Sequence, residues 1–135
     1  MRLLLDTHVV LWLLTDNTRL RARDRALLQD DDAECYVSVA SWWELGIKQS
    51  AGIGALSMDA AMIRTAALDA GLRELPVHAA PALRVAELPL LHRDPFDRLL
   101  VAQALCEPMR LVTADAMVAP YEVECGVLME RVGGI

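Results

Sequence analysis

Arg2-Leu3-Leu4-Leu5-Asp6, near one end of the chain, and Arg110-Leu111-Val112-Thr113-Ala114-Asp115, near the other, share one design: a short apolar run that stops on an acid. Neither run alternates polar with apolar residues, so each suits a strand covered on both faces. Such strands belong to parallel sheets, whose crossover helices pack on both sides. Ligands of these sheets bind beyond the carboxyl ends of the strands, where the strand order reverses. Two strands that deliver an acid to that edge are the start of a cation site.

Outward from these two strands, the chain alternates between helix and strand signals. Thr7–Leu14 is apolar nearly all round and reads as a short buried helix. Leu20–Asp31 reads as a surface helix with Ala26, Leu27 and Leu28 turned inward. Glu34–Val39 is β-branched and aromatic, a second strand. Trp42–Ser50 is helical and stops at Gly52-Ile53-Gly54. Ser57 is placed to cap an amphipathic helix over Met58–Leu72, with Ala61, Ile63, Ala66, Ala67 and Ala70 available for packing. Glu74–Val77 is a third strand, and Pro81–Leu88 is a helix with Pro81 near its first turn. Pro95–Cys106 is a helix, Arg110–Thr113 a strand and Val127–Arg131 a last strand. The expected fold is α/β: one domain over residues 1–135, core about 2–128, built on a central parallel sheet of about five strands flanked by helices on both faces.

Composition narrows the function. With 55% hydrophobic residues among 135, the chain buries a full core, and disorder is excluded. The longest uncharged run, Gln49–Met58, is about half of what a membrane span needs. Met1-Arg2-Leu3-Leu4-Leu5 is broken by Asp6 and His8 before a signal sequence forms, so a cytoplasmic protein is expected. Cys35, Cys106 and Cys125 are odd in number and widely spaced, which fits reduced thiols rather than a disulfide framework or zinc knuckle. The formal charge of −6 excludes binding nucleic acid mainly by neutralising phosphates. Any such role needs a local site, with metal ions supplying the positive charge.

Two further acids follow similar strand-to-helix entries: Glu44, in the helix after the second strand, and Asp97, in the first turn of Pro95–Cys106. Each acid has an ordinary structural reading. Asp6 and Asp115 suit helix caps or turns. Ser41-Trp42-Trp43-Glu44 matches a capping box. Asp94-Pro95-Phe96-Asp97 reads as cap, proline at the first helical position and an acid favoured by the helix dipole. Jointly they say more, because four ionised carboxylates at one sheet edge repel and raise one another's proton affinity unless a cation joins them. Mg²⁺ and Mn²⁺ favour such oxygen ligands. One or two such ions orient a phosphodiester, activate an attacking water and stabilise the leaving oxygen.

Taken in order, Leu4-Leu5-Asp6-Thr7-His8, Ser38-x-x-Ser41-Trp42-Trp43-Glu44, His92-Arg93-Asp94-Pro95-Phe96-Asp97-Arg98-Leu99-Leu100 and Leu111-Val112-Thr113-Ala114-Asp115 resemble the PIN-domain ribonucleases. Within them the chain is similar to the VapC-type toxins of toxin–antitoxin pairs. The resemblance runs from about Arg2 to Leu128. It implies a Mg²⁺- or Mn²⁺-dependent endoribonuclease, a VapB-type antitoxin partner, an RNA substrate and a homodimer. Carried over, Asp6 and Asp97 match the family's primary metal ligands. Glu44 and Asp115 complete the catalytic quartet and help activate water. Thr113 matches a hydroxyl position that supports the carboxylates, and Thr7 does likewise. Asp94 and Arg98 are further supporting candidates. Arg98 is read either as a phosphate contact or as a surface partner of Asp94.

His8 and His92 lie close enough in sequence to touch the cleft, with His8 read as a packed residue. His78 reads as a loop residue, and Lys48 as a helix partner of Glu44. Trp12, Trp42 and Trp43 have apolar neighbours that favour core or interface over base stacking. Two alternatives stand beside the nuclease. One is a catalytically silent PIN-like protein-binding domain, against which all four acids are retained. The other is a different Mg²⁺-dependent α/β phosphohydrolase. A haloacid-dehalogenase-type phosphatase needs a second Asp where His8 stands. A response-regulator receiver needs a phosphorylatable Asp ending a middle strand, whereas Glu44 falls within a helix.

Overall fold

The computed structural model describes residues 1–52 and 58–134. Among them are five strands, β1 (Arg2–Leu5), β2 (Glu34–Ser38), β3 (Arg73–Leu75), β4 (Arg110–Thr113) and β5 (Met129–Arg131). Seven helices accompany them: α1 (Thr7–Leu14), α2 (Ala22–Leu28), α3 (Val39–Ser50), α4 (Ala60–Asp69), α5 (Ala79–Arg84), α6 (Pro95–Cys106) and α7 (Pro120–Cys125). A 3-10 turn, Val85–Glu87, extends α5.

All four strand pairings are parallel and the order is β3-β2-β1-β4-β5. β1 is central, with Leu5 opposite both Val37 and Val112. The chain steps outward from β1 through β2 to β3, then crosses back to β4 on the other side. The order therefore reverses between β1 and β4, where the two acid-terminated strands lie side by side.

The alternation of a strand explains the two buried layers. Leu4 and Leu111 face a core shared with Leu100, Val101, Ala104 and Tyr121 of α6 and α7. Leu3, Leu5 and Val112 face the opposite core, with Val9 and Val10 of α1, Leu28 of α2 and Ala67 of α4. Leu3, Leu4 and Leu5 are all fully buried. A strand covered on both faces has no use for alternation, which is why these segments read as unbroken apolar runs.

Several boundaries differ from the sequence reading, each for a local reason. α1 is half-covered rather than buried: only Thr7, Val9 and Val10 are fully inside. α2 begins at Ala22, where Asp24 accepts the Arg21 amide at 2.9 Å. That turn buries Asp24 and Leu28 and leaves Ala26 exposed. α3 begins at Val39, because the Ser38 hydroxyl accepts the Ala40 amide at 3.0 Å and ends β2 there. Ser57, Ile53 and Gly54 lie outside the described residues, and the cap of α4 is Asp59, bonded to the Met62 amide at 2.8 Å. Ile63 and Ala67 are its buried positions, with Ala61 and Ala70 at the surface. β3 stops before Pro76, which has no amide to donate to the ladder. β5 is three residues long and starts at Met129. α7 has no counterpart in the sequence reading; Pro120 opens it and Gly126, at φ +71°, closes it. α6 and β4 match their expected limits.

No helix among the described residues is long and apolar enough to cross a membrane. Cys35, Cys106 and Cys125 are free thiols, and burial pushes the Cys35 thiol up to about 11.

Candidate active site

Asp6 leaves β1 with its amide bonded to the Val112 carbonyl at 2.9 Å, so the β1–β4 pairing carries it to the switch point. Its carboxylate is 4% exposed, and both oxygens are engaged. Oδ1 accepts the Val9 amide at 3.0 Å and caps α1. Oδ2 accepts the Thr113 hydroxyl at 2.6 Å and the Ala114 amide at 3.4 Å. Thr113, at the end of β4, also accepts the Asp115 amide at 3.0 Å through the same oxygen. One buried hydroxyl thus joins the two strand-terminal acids. Asp115 in turn accepts the Met117 amide at 2.8 Å, so its turn role and its place at the cleft coexist.

Glu44 comes from α3 and reaches Thr7, the residue after Asp6. Its Oε1 lies 2.7 Å from Thr7 Oγ1, which lies 2.9 Å from Ser41 Oγ. With one hydrogen to give, Thr7 donates to the carboxylate and accepts from Ser41. Oε2 pairs with Lys48 at 2.8 Å. The capping-box reading of Ser41 and Glu44 is therefore overturned. Ser38 holds the cap position, and Ser41 sits inside the helix facing Thr7.

Asp97 comes from the first turn of α6, where Asp94 caps the helix by accepting the Phe96 and Asp97 amides at 2.8 and 3.2 Å. His92 Nε2 lies 2.9 Å from Asp97 Oδ2 and 3.7 Å from Asp115 Oδ2, bridging the last two acids. His92, Asp94 and Asp97 each offer a ligand atom within 4.8 Å of the others. Burial first, and the Asp94 and Asp6 charges after it, push the Asp97 carboxyl up to about 7 against the pull of His92. Burial likewise raises Asp6, opposed by its bonds from Thr113 and Val9.

Asp6 and the Asp115 backbone are thus joined through Thr113, Asp97 and Asp115 both lie near His92, and Glu44 is held by Thr7, the residue after Asp6, and by Lys48. Among the described residues, those whose ligand atoms lie close enough together to share an ion are His92, Asp94 and Asp97. Asp94 serves as a cap at the same time. His92 lies near the cleft by its place two residues before Asp94, and its bond to Asp97 at 2.9 Å makes it part of the site. Ser41 is legible in the Ser38-x-x-Ser41 spacing and as a cap, and its bond to Thr7 is the addition. The donors are mostly hard oxygens around carboxyls short of compensating charge, which fits Mg²⁺ or Mn²⁺, with one imidazole at the margin.

Arg98 does not join the site. Its guanidinium donates to the carbonyls of Pro89, Val85 and Leu88 and to the Tyr121 hydroxyl at 2.9–3.4 Å. Tyr121, fully buried, donates to Pro89 O and accepts the Leu91 and His92 amides at 3.2 and 3.3 Å. Arg98 and Tyr121 therefore pin the segment that delivers His92. Arg98→Met should cost about 2 kcal/mol in a thermal melt, because several carbonyls lose a charged donor. A variant with a parent-like melt and a weaker salt dependence of RNA binding would restore Arg98 to phosphate contact.

The aromatic residues divide. Trp42 is half-buried and donates to Glu74 at 2.9 Å. Trp43 is 63% exposed, edge-on to Phe96 at 5.2 Å, and belongs to neither core. His8 is exposed rather than packed inside, its ring 6.3 Å from that of Trp12.

Comparison with known proteins agrees with this fold. The toxin–antitoxin complex VapBC2 from Rickettsia felis, solved on a promoter DNA fragment, contains a similar chain at TM-score 0.70 and 18% identity, covering 98% of this chain and 99% of that one. VapBC-1 from nontypeable Haemophilus influenzae gives 0.64 and 18%, covering 97% and 98%. FitAB bound to the IR36 DNA fragment gives 0.61 and 17%, covering 98% and 96%. No curated protein sequence matches the chain. The family model of the PIN domain, a family whose members are generally nucleases that use divalent metal ions, matches residues 3–122. This chain belongs to the PIN-domain family.

Proposed function

We propose that the chain is a metal-dependent endoribonuclease acting as the toxin of a toxin–antitoxin pair, with a VapB-type antitoxin and a second copy of itself as partners. The observation that carries the reading is the cluster of His92, Asp94 and Asp97, whose ligand atoms lie within 4.8 Å of one another, with the Asp97 carboxyl raised by burial and by the Asp94 and Asp6 charges. A fold holds carboxylates in that state at a stability cost, and a cation relieves it. The similar chains in VapBC2, VapBC-1 and FitAB support the toxin role and the antitoxin partner.

Asp6 and Asp97 would hold Mg²⁺ or Mn²⁺, with Glu44 and Asp115 completing the set directly or through water. When bound, the ion supplies charge for the phosphodiester oxygens and acidity for a water. The chain's own residues do the rest. Thr113 orients Asp6 and fixes the Asp115 backbone. Thr7 and Lys48 hold the two oxygens of Glu44, which places an acceptor for the proton of an attacking water. His92 holds Asp97 through Nε2, with Asp115 3.7 Å from the same nitrogen. An Arg or Lys from the antitoxin suits the same acids and would compete with the ion.

The direct test is metal-dependent cleavage of RNA by the purified chain; a pure chain inert towards RNA with Mg²⁺ and with Mn²⁺ would sink the reading. Thr113→Val keeps the volume and removes the hydroxyl. Cleavage should fall about 10- to 100-fold, the usual cost of losing a group that orients a ligand. Parent-like cleavage by this variant would reduce Thr113 to a core residue.

A further inference from the structure

A pocket of about 370 Å³ lies beside the acids, walled by His8, Trp12, Arg19, Ala114, Asp115 and Ala116. Its volume falls at the small end of the usual range for ligand pockets, about 300–1,000 Å³. Asp115 is common to the pocket and the acidic site, so whatever fills the pocket sits next to that acid. The other walls offer what a nucleotide needs. Arg19 is exposed, its guanidinium 5.5 Å from the Trp12 ring centroid. No carboxylate among the described residues lies within ion-pair distance of it. His8 and Trp12 form a tilted aromatic wall.

The pocket is also built in advance. Asn17 holds the loop that carries Arg19: its side chain accepts the Arg19 amide at 2.9 Å and its own amide bonds to Trp12 O at 2.9 Å. Its carbonyl accepts from Leu20 N at 3.1 Å and from Arg25 at 2.7 Å. Behind the wall, Gly133 adopts φ +68°, and a Cβ there would stand 3.1 Å from the Trp12 ring and 3.4 Å from Ala114. The tail therefore backs Trp12 with bare backbone.

We propose that this pocket is the subsite for the nucleotide beside the scissile phosphodiester, with Arg19 holding its phosphate and the His8–Trp12 wall meeting its base. The proposal rests on the nuclease reading and deepens it. It also accounts for how a chain of charge −6 would engage RNA: one exposed guanidinium on a held loop and an aromatic surface act locally where the overall field repels.

The test compares the full chain with R19A and R19K, each in the Asp97→Asn background with Mg²⁺, binding a mixed-sequence single-stranded RNA of twelve nucleotides. A twelve-residue abasic ribose–phosphate serves as the second probe. R19A should bind about tenfold more weakly, the loss expected for one charge-assisted bond. The slope of log affinity against log salt should shrink by about 0.7, one phosphate contact on a single strand. The loss should be as large on the abasic probe, R19K should keep the parental slope, and melting should be unchanged because Arg19 is exposed. Parental affinity and slope in R19A overturn the proposal. So does a loss confined to the base-bearing probe, or an R19A that binds RNA normally and loses only a co-expressed partner protein. If the unmutated chain neither binds nor cleaves RNA, the nuclease reading fails first and the subsite with it. Cleavage by the unmutated chain together with an inert R19A change defeats the subsite alone.

Discussion

Asp97→Asn and Asp6→Asn should each lower RNA cleavage by more than about a hundredfold, beyond the usual cost of losing a group that only supports a ligand. Asparagine keeps the shape and removes an anionic oxygen, which is what a divalent ion binds. The two variants are unequal as tests. Asp6 is the N-cap of α1, and its Oδ2 accepts from Thr113 at 2.6 Å. An amide nitrogen placed there donates instead, so the Thr113 hydroxyl hydrogen loses its acceptor. Asp6→Asn therefore carries a folding cost that a melt must measure beside the rate. Asp97 makes one side-chain bond, to His92, and an amide preserves it by rotation. Near-parental cleavage by Asp97→Asn with Mg²⁺ or Mn²⁺, in a chain that melts normally, would show that the proposed ligand set is wrong.

What can be read from the sequence follows physical scale. The buried strands β1 and β4 and the long helix α6 are legible to the residue. Their signals are strong: aliphatic runs, and the Asp94-Pro95 start that fixes a first turn. Short elements are not, because a three-residue strand such as β3 or β5 takes its identity from its neighbour's free edge. Asp6, Asp97 and Asp115 are legible because strand ends and a helix start place them without help from long-range packing, whereas Glu44, inside α3, is placed by how that helix meets Thr7. The connections of these acids are not legible. That Ser41 faces Thr7, and that Arg98 serves carbonyls rather than phosphate, depends on how α3 and α6 lie across the sheet. Tyr121 leaves no local signal at all, since its role is to meet a loop some thirty residues earlier.

Without metal, the parent should lose stability as pH rises, and Asp97→Asn should relieve part of that loss. A carboxyl whose folded pKa lies above its unfolded one costs nothing below the unfolded value, near 4. The cost grows from there and is complete above the folded value, about 7 for Asp97. Asp6 is raised as well, so it steepens the fall. The first cause at both is burial, ahead of the mutual repulsion that the sequence suggests. A neutral amide at position 97 carries no such penalty at any pH. A tenfold change in proton affinity on folding corresponds to about 1.4 kcal/mol, so the gain at pH 7.5 is on the order of a few kcal/mol. Against it stands the helix-dipole contact of an acid in the first turn, about 0.3–1 kcal/mol. The balance favours the variant. In chelator at pH 7.5 Asp97→Asn should melt several degrees above the parent, and at pH 4.5 the two should nearly coincide. Added Mg²⁺ or Mn²⁺ should then raise the parent more than the variant, because only the parent offers the full ligand set. Thermal melts at the two pH values, with and without metal, decide the matter. A variant that melts below the parent at pH 7.5 in chelator, and gains as much from metal, would make Asp97 a structural acid of α6.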